Sequence, residues 1–170
     1  MKKNIVLVGI MGCGKTTIGN ALSYKLKMPV IDMDKEIEKA EGMEIKDIFD
    51  RFGEEYFRNS ETKIAEKLSK LSGHIISTGG GVVLRDENMK YLKQTGKVIY
   101  IHRTPDEIIK TVKTEKRPLL KNGPEKLYEI YNARHNIYLK HADVVVKNSG
   151  DFQNGVENVY NAVLAVLSED

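Results

Sequence analysis

Gly9-Ile10-Met11-Gly12-Cys13-Gly14-Lys15-Thr16 carries the spacing GxxxxGK[ST], a pattern that ordinary residue frequencies make roughly a 1% chance event in a chain of 170 residues. Glycines there let backbone N–H groups turn inward around a nucleotide β-phosphate, and the amino terminus of a following helix adds positive potential. Lys15 would bridge the β- and γ-phosphates and the Thr16 hydroxyl would ligate Mg²⁺. Gly12, Cys13, Gly14 and Thr17 are the other positions expected against the nucleotide. The plain alternative is a glycine-rich turn with an exposed lysine.

Further along stand groups suited to an acceptor. Asp32 and Asp34, read as ending a strand on one side of an extended backbone, can divide labour: one supports the metal through water while the other meets an acceptor hydroxyl. Alternatively, Asp34 simply caps the next helix. In Phe57-Arg58-Asn59-Ser60-Glu61, Glu61 falls within one helical turn of Arg58 and can orient its guanidinium, unless the pair is only a solvated face. Gly79-Gly80-Gly81 follows Ser77-Thr78, and three consecutive glycines cost backbone entropy unless something must approach closely. Arg117 lies in a basic stretch with Lys110, Lys113, Lys116 and Lys121, read either as a lid bringing an arginine to the γ-phosphate or as a solvated loop. Arg134 and Tyr138, four apart, face one cleft if both lie on a helix. Cys13, the one cysteine, sits beside Lys15; its plain role is that of a small filler, while alkylation there is expected to block nucleotide binding.

These residues need a frame, and the hydrophobic pattern supplies one. Ile5 to Val8 is a continuous β-branched run of the kind covered on both faces. Ile18, Leu22 and Leu26 then repeat at helical spacing, and Val30-Ile31 open a second strand. Helices are expected over 35–52, broken at Gly42, and 54–71, closed by Gly73 as a C-cap. Strands follow at 74–78, 98–102 and 143–146, with helices over 86–94, 125–141 and to about 167. Thr104-Pro105-Asp106-Glu107 reads as a capping box. Strands alternating with helices imply a parallel sheet between two helical layers, an α/β three-layer sandwich binding its ligands beyond the carboxyl ends of the strands. Each motif above lies at such an end or on the helix after it.

Composition bounds the rest. The length suits a single domain, 1–170, and 41% apolar residues suffice for one core without staples. Twenty-seven Lys and Arg against 24 Asp and Glu leave a net charge of +3 with no concentrated basic block, and four Phe, eight Tyr and no Trp form no stacking platform, so no nucleic-acid partner is expected. No apolar run approaches the ~18 residues of a membrane span. Met1-Lys2-Lys3, the apolar stretch to Met11 and Cys13 mimic a lipoprotein leader, but the stretch is short, holds Gly9, and cleavage would destroy the phosphate motif. A cytoplasmic monomer is expected.

Taken together, GIMGCGKTT, DMD, FRNSE, STGGG, RPLL and RHNIY resemble the shikimate kinase family over essentially the whole chain. That resemblance implies a P-loop NTPase fold with a five-stranded parallel sheet of order 2-3-1-4-5, a lid over about 112–124 and substrate-binding helices over about 35–71. It implies MgATP-dependent phosphorylation of the 3-hydroxyl of shikimate. Lys15 and Thr16 would serve phosphate and Mg²⁺, with Asp32 supporting the metal. Asp34 would hold the acceptor hydroxyls as base or orienter, Arg58 and Arg134 would grip the carboxylate, Gly80 would contact the ring hydroxyls, and Arg117 would close with the lid. The chain departs from the pattern at Lys110 and over Asn148-Ser149-Gly150-Asp151, where many members carry arginines near the adenine. A gluconate or nucleoside-monophosphate kinase, or a non-catalytic nucleotide-binding module, shares the phosphate motif but gives no reason for Arg58, the glycine triplet and Arg134 together.

Overall fold

The structure, a computed structural model, describes residues 2–111 and 123–168; Arg117 and the expected lid up to residue 122 lie outside them. Five parallel strands are formed by Asn4–Val8 (β1), Val30–Asp32 (β2), Ile75–Ser77 (β3), Gly96–His102 (β4) and Val144–Lys147 (β5). They lie in the order β2-β3-β1-β4-β5 with helices on both faces, as expected. The helices are Lys15–Leu26 (α1), Met33–Glu41 (α2), Ile45–Leu68 (α3), Asp86–Thr95 (α4), Pro105–Thr111 (α5), Pro124–His141 (α6) and Phe152–Ser168 (α7).

Every residue of β1 is buried, Asn4 included. A polar residue can open the central strand because its amide is fully engaged: Nδ2 donates to the Leu71 carbonyl and to Thr95 Oγ1, and Oδ1 accepts from the His74 N–H. The expected capping box forms, with the Thr104 N–H donating to Glu107 Oε2 at 2.8 Å and the Glu107 N–H returning to Thr104 Oγ1. The break at Gly42 is a left-handed cap, and a second break inside α3 falls at Gly53 (φ 80°), between the two expected helices.

Two expectations are corrected. Gly73 does not close α3, which ends at Leu68 with Ser69 as its cap, the Ser69 hydroxyl turning back to the Glu66 carbonyl. Nor do both aspartates end a strand. β2 stops at Asp32, whose Oδ1 accepts the N–H groups of Asp34 at 3.0 Å and Lys35 at 3.3 Å, so the chain passes straight into α2 and Asp34 lies in its first turn. Asp32, not Asp34, is the cap.

Candidate active site

Gly14 caps α1 in the left-handed region (φ 103°), a conformation that a side chain would strain, and this turn folds residues 9–14 back over the helix. The Lys15 ammonium lies over that loop, donating to the carbonyls of Gly9 at 2.6 Å and Ile10 at 3.1 Å. Rotation about the lysine stem is all that is needed to exchange those carbonyls for phosphate oxygens. Thr16 sits beside the carboxyl end of β3, its hydroxyl 3.4 Å from Ser77 Oγ. Lys15, Thr16, Thr17, Asp34 and Gly80 line one cavity of about 220 Å³. Burial, reinforced by the Asp32 charge, raises the Asp34 carboxyl above its ordinary value, while Lys15 and Arg58 pull it down.

The glycine triplet is where this cavity meets the helices. Thr78 pins its start, donating from both its N–H and its hydroxyl to the Leu7 carbonyl of β1. Each glycine then faces a different functional group. A Cβ on Gly79 would stand 2.8 Å from Asp34 Oδ1, one on Gly80 would stand 3.5 Å from Arg134 Nη1, and one on Gly81 would fall inside the Arg58 guanidinium. Close approach, the reason anticipated for three glycines, is met at Gly79 and Gly81, while at Gly80 a Cβ would make only ordinary van der Waals contact.

Arg58 is held as the spacing suggested. Its Nη1 donates to Glu61 Oε1 at 2.8 Å, with Glu61 only 1% exposed. Burial raises the Glu61 carboxyl and the Arg58 charge opposes that rise. Arg58 Nε and Glu61 Oε2 are buried with no hydrogen-bond partner. Native interiors rarely leave such atoms unpaired.

The profile of the shikimate kinase family matches residues 11–167, and a shikimate kinase of Clostridium beijerinckii is 40% identical over 164 residues, 96% of each chain. The chain belongs to the shikimate kinase family. The solved shikimate kinase from Acinetobacter baumannii in complex with shikimate superposes with a TM-score of 0.87 at 32% identity, covering 100% of this chain and 96% of that one. A gluconokinase from Sinorhizobium meliloti, at 15% identity and a TM-score of 0.59 over 98% of this chain and 94% of that one, shares the fold alone.

Within this family member a second cavity, about 380 Å³, opens on the other side of the phosphate loop. The two cavities share Gly12, Gly14 and Thr17, so they adjoin along the phosphate loop. Arg103, just past β4, lines the second one with its Nε buried and unpartnered, as does the half-exposed Phe152 at the start of α7. The sequence reading passed over both; the signal available was their place beyond the carboxyl ends of β4 and β5. Asn148, one of the departures from the family pattern, has a structural task. Its Nδ2 donates to the Cys13 carbonyl at 2.8 Å and its N–H to the His102 carbonyl, tying the loop after β5 to the phosphate loop. Lys110 is exposed on α5.

Cys13 is corrected as a probe. Its thiol is fully buried and packed on Gly9, where a Cβ would stand 2.6 Å from Sγ, so it faces the core and serves as the small filler. Its sulfur also accepts from the Lys15 ammonium at 3.7 Å, so the cysteine does lie beside that lysine. Asp32 stands apart from the cavity lining, its Oδ1 committed to α2.

Proposed function

We propose that the chain transfers the γ-phosphoryl group of MgATP to the 3-hydroxyl of shikimate, giving shikimate 3-phosphate and ADP. The observation that carries this reading is the buried Arg58–Glu61 pair with its unpartnered atoms, lying against the glycine triplet, whose Gly79 and Gly80 line the cavity that Lys15 and Asp34 also line. Two arginines on separate helices, α3 and α6, suit one small carboxylate because a guanidinium fork pairs with it bidentately. Asp34, in the same cavity as Lys15, then faces the hydroxyl, which it orients and relieves of its proton. Gly80 offers backbone to the ring hydroxyls. Arg117, outside the described residues, is assigned to the transferring phosphate from sequence and family alone, as are the lid over 112–124 and its closure.

The metal fits these donors. Thr16 and Asp32 offer the few oxygens that an ion arriving with nucleotide phosphates takes from a protein. Thr16 Oγ1 would hold Mg²⁺ directly and the uncommitted Oδ2 of Asp32 would meet its water. When bound, the ion neutralises charge on the phosphates. The proposal includes a monomer working in the cytoplasm, where MgATP is supplied. No helix among the described residues is long and apolar enough to cross a membrane.

An assay of ADP release offering shikimate, gluconate and nucleoside monophosphates in turn tests the acceptor: turnover is expected with shikimate alone, and a preference for either rival class overturns the reading. A finer test follows from the arginines. Arg58→Ala and Arg134→Ala are each expected to weaken shikimate binding by roughly 1.5–3 kcal/mol, as for hydrogen bonds to charged groups, and to leave MgATP affinity nearly unchanged. Calorimetry showing equal losses for both ligands would remove the carboxylate assignment.

A further inference from the structure

Tyr138 lies one turn after Arg134 on α6 and is 0% exposed. Its hydroxyl donates to the Gly80 carbonyl, and the Arg134 guanidinium lies beside both groups: its charge opposes the rise that burial imposes on the phenol, and its Nη1 stands 3.5 Å from where a Cβ on Gly80 would be. A phenol has one donor and two lone pairs. With the donor spent on Gly80, only the lone pairs of the phenolic oxygen are left to face the neighbouring Arg134 guanidinium. That carbonyl belongs to the peptide joining Gly80 to Gly81, and Gly81 is the residue on which the Arg58 guanidinium rests. One buried hydroxyl therefore connects the helix bearing Arg134 to the floor bearing Arg58.

The ring is fixed independently of the hydroxyl. It stacks on Tyr100 of β4 with centroids 4.9 Å apart and planes at 27°. Tyr100 in turn meets His135 Nδ1 at 2.9 Å, and the His135 ring stacks on Tyr131 at 4.9 Å. These contacts seat α6 on the sheet without touching the glycine triplet, so the packing of Tyr138 and the bonding of its hydroxyl are separable.

We propose that Tyr138 is a positioning residue for the acceptor: its hydroxyl sets Arg134 against the glycine triplet, so that Arg134 and Arg58 act as one clamp on a single carboxylate. The inference rests on the acceptor site proposed above. Tyr138→Phe keeps the ring and removes only the O–H. Shikimate affinity is expected to fall by about tenfold, in line with a lost hydrogen bond to a charged group, with MgATP affinity unchanged. Because the hydroxyl acts through Arg134, the double variant with Arg134→Ala should bind shikimate no worse than Arg134→Ala alone, a non-additivity that a merely structural role does not produce. Tyr100→Phe, which removes a neighbouring hydroxyl bonded to His135 instead, should leave shikimate affinity within about twofold. Calorimetric affinities with thermal midpoints for the set decide the matter. Full additivity of the two losses, or a lowered midpoint in Tyr138→Phe with shikimate affinity intact, overturns the proposal. An unmodified protein that binds no shikimate overturns the acceptor site together with it, whereas intact binding that Tyr138→Phe leaves unaltered overturns the positioning role alone.

Discussion

Asp34→Asn is expected to lose roughly 10²–10⁴ in kcat while keeping its MgATP affinity, the usual worth of a positioned acid–base group. The carboxyl stands in the cavity that also holds Lys15 and Gly80, and the amide replacing it neither accepts a proton nor carries charge. A second effect has the opposite sign. Because burial raises this carboxyl above its unfolded value of 3.8, the folded protein holds the proton more tightly than the unfolded chain. Stability contributed by Asp34 is therefore fully present below that unfolded value and declines as pH rises through the folded one. At neutral pH the charged group is a cost, and Asp34→Asn should raise the thermal midpoint as it abolishes turnover. In the unmodified enzyme, turnover should fall as pH drops through the raised value. Turnover within threefold of the parent sinks the role of Asp34 in transfer, and a lowered midpoint sinks the burial argument.

Lys15→Met should cost on the order of 10²–10³ in kcat, comparable to removing one donor from a preorganised anion site. The ammonium now satisfies the Gly9 and Ile10 carbonyls at 2.6 and 3.1 Å, and methionine supplies no donor in its place. A modest fall in thermal midpoint should accompany the loss of activity, with shikimate affinity preserved because the acceptor groups lie on α3, α6 and the glycine triplet. Single-turnover rates alongside calorimetry of both ligands separate these effects. Near-parental phosphoryl transfer would show that the loop binds phosphate through its backbone alone.

What could be read from the chain was whatever chemistry and periodicity express locally. The phosphate loop is one short contiguous stretch, Arg58 and Glu61 lie within one helical turn, and the run from Ile5 to Val8 is buried on both faces. Their counterparts in the structure stand where local rules put them. The rest depended on contacts between distant segments. Whether Asp32 or Asp34 caps α2 turns on a rotation of two residues, which alternation cannot resolve. Asn4 joins the central strand because Leu71, His74 and Thr95, far away in sequence, satisfy its amide. Cys13 turns inward because Gly9 has no Cβ to oppose it. That Arg134 and Tyr138 share a helix face was legible, but the destination of the Tyr138 hydroxyl on Gly80, 58 residues earlier, was not.

The lining that two adjoining cavities share along the phosphate loop has an evolutionary consequence. Gly12, Gly14 and Thr17 are the lining residues common to both compartments. Substitutions at Arg103 or Phe152 can therefore retune the donor side while Arg58, Glu61 and Arg134 stay under separate selection. The two halves of such an enzyme can drift at different rates, and a lineage can change its acceptor without relearning its nucleotide. A compound seated on the glycine triplet, by contrast, would reach the cavity that Lys15 and Thr16 also line, so it would meet the nucleotide's phosphate end as well as the acceptor's place, and resistance to it would have to spare both.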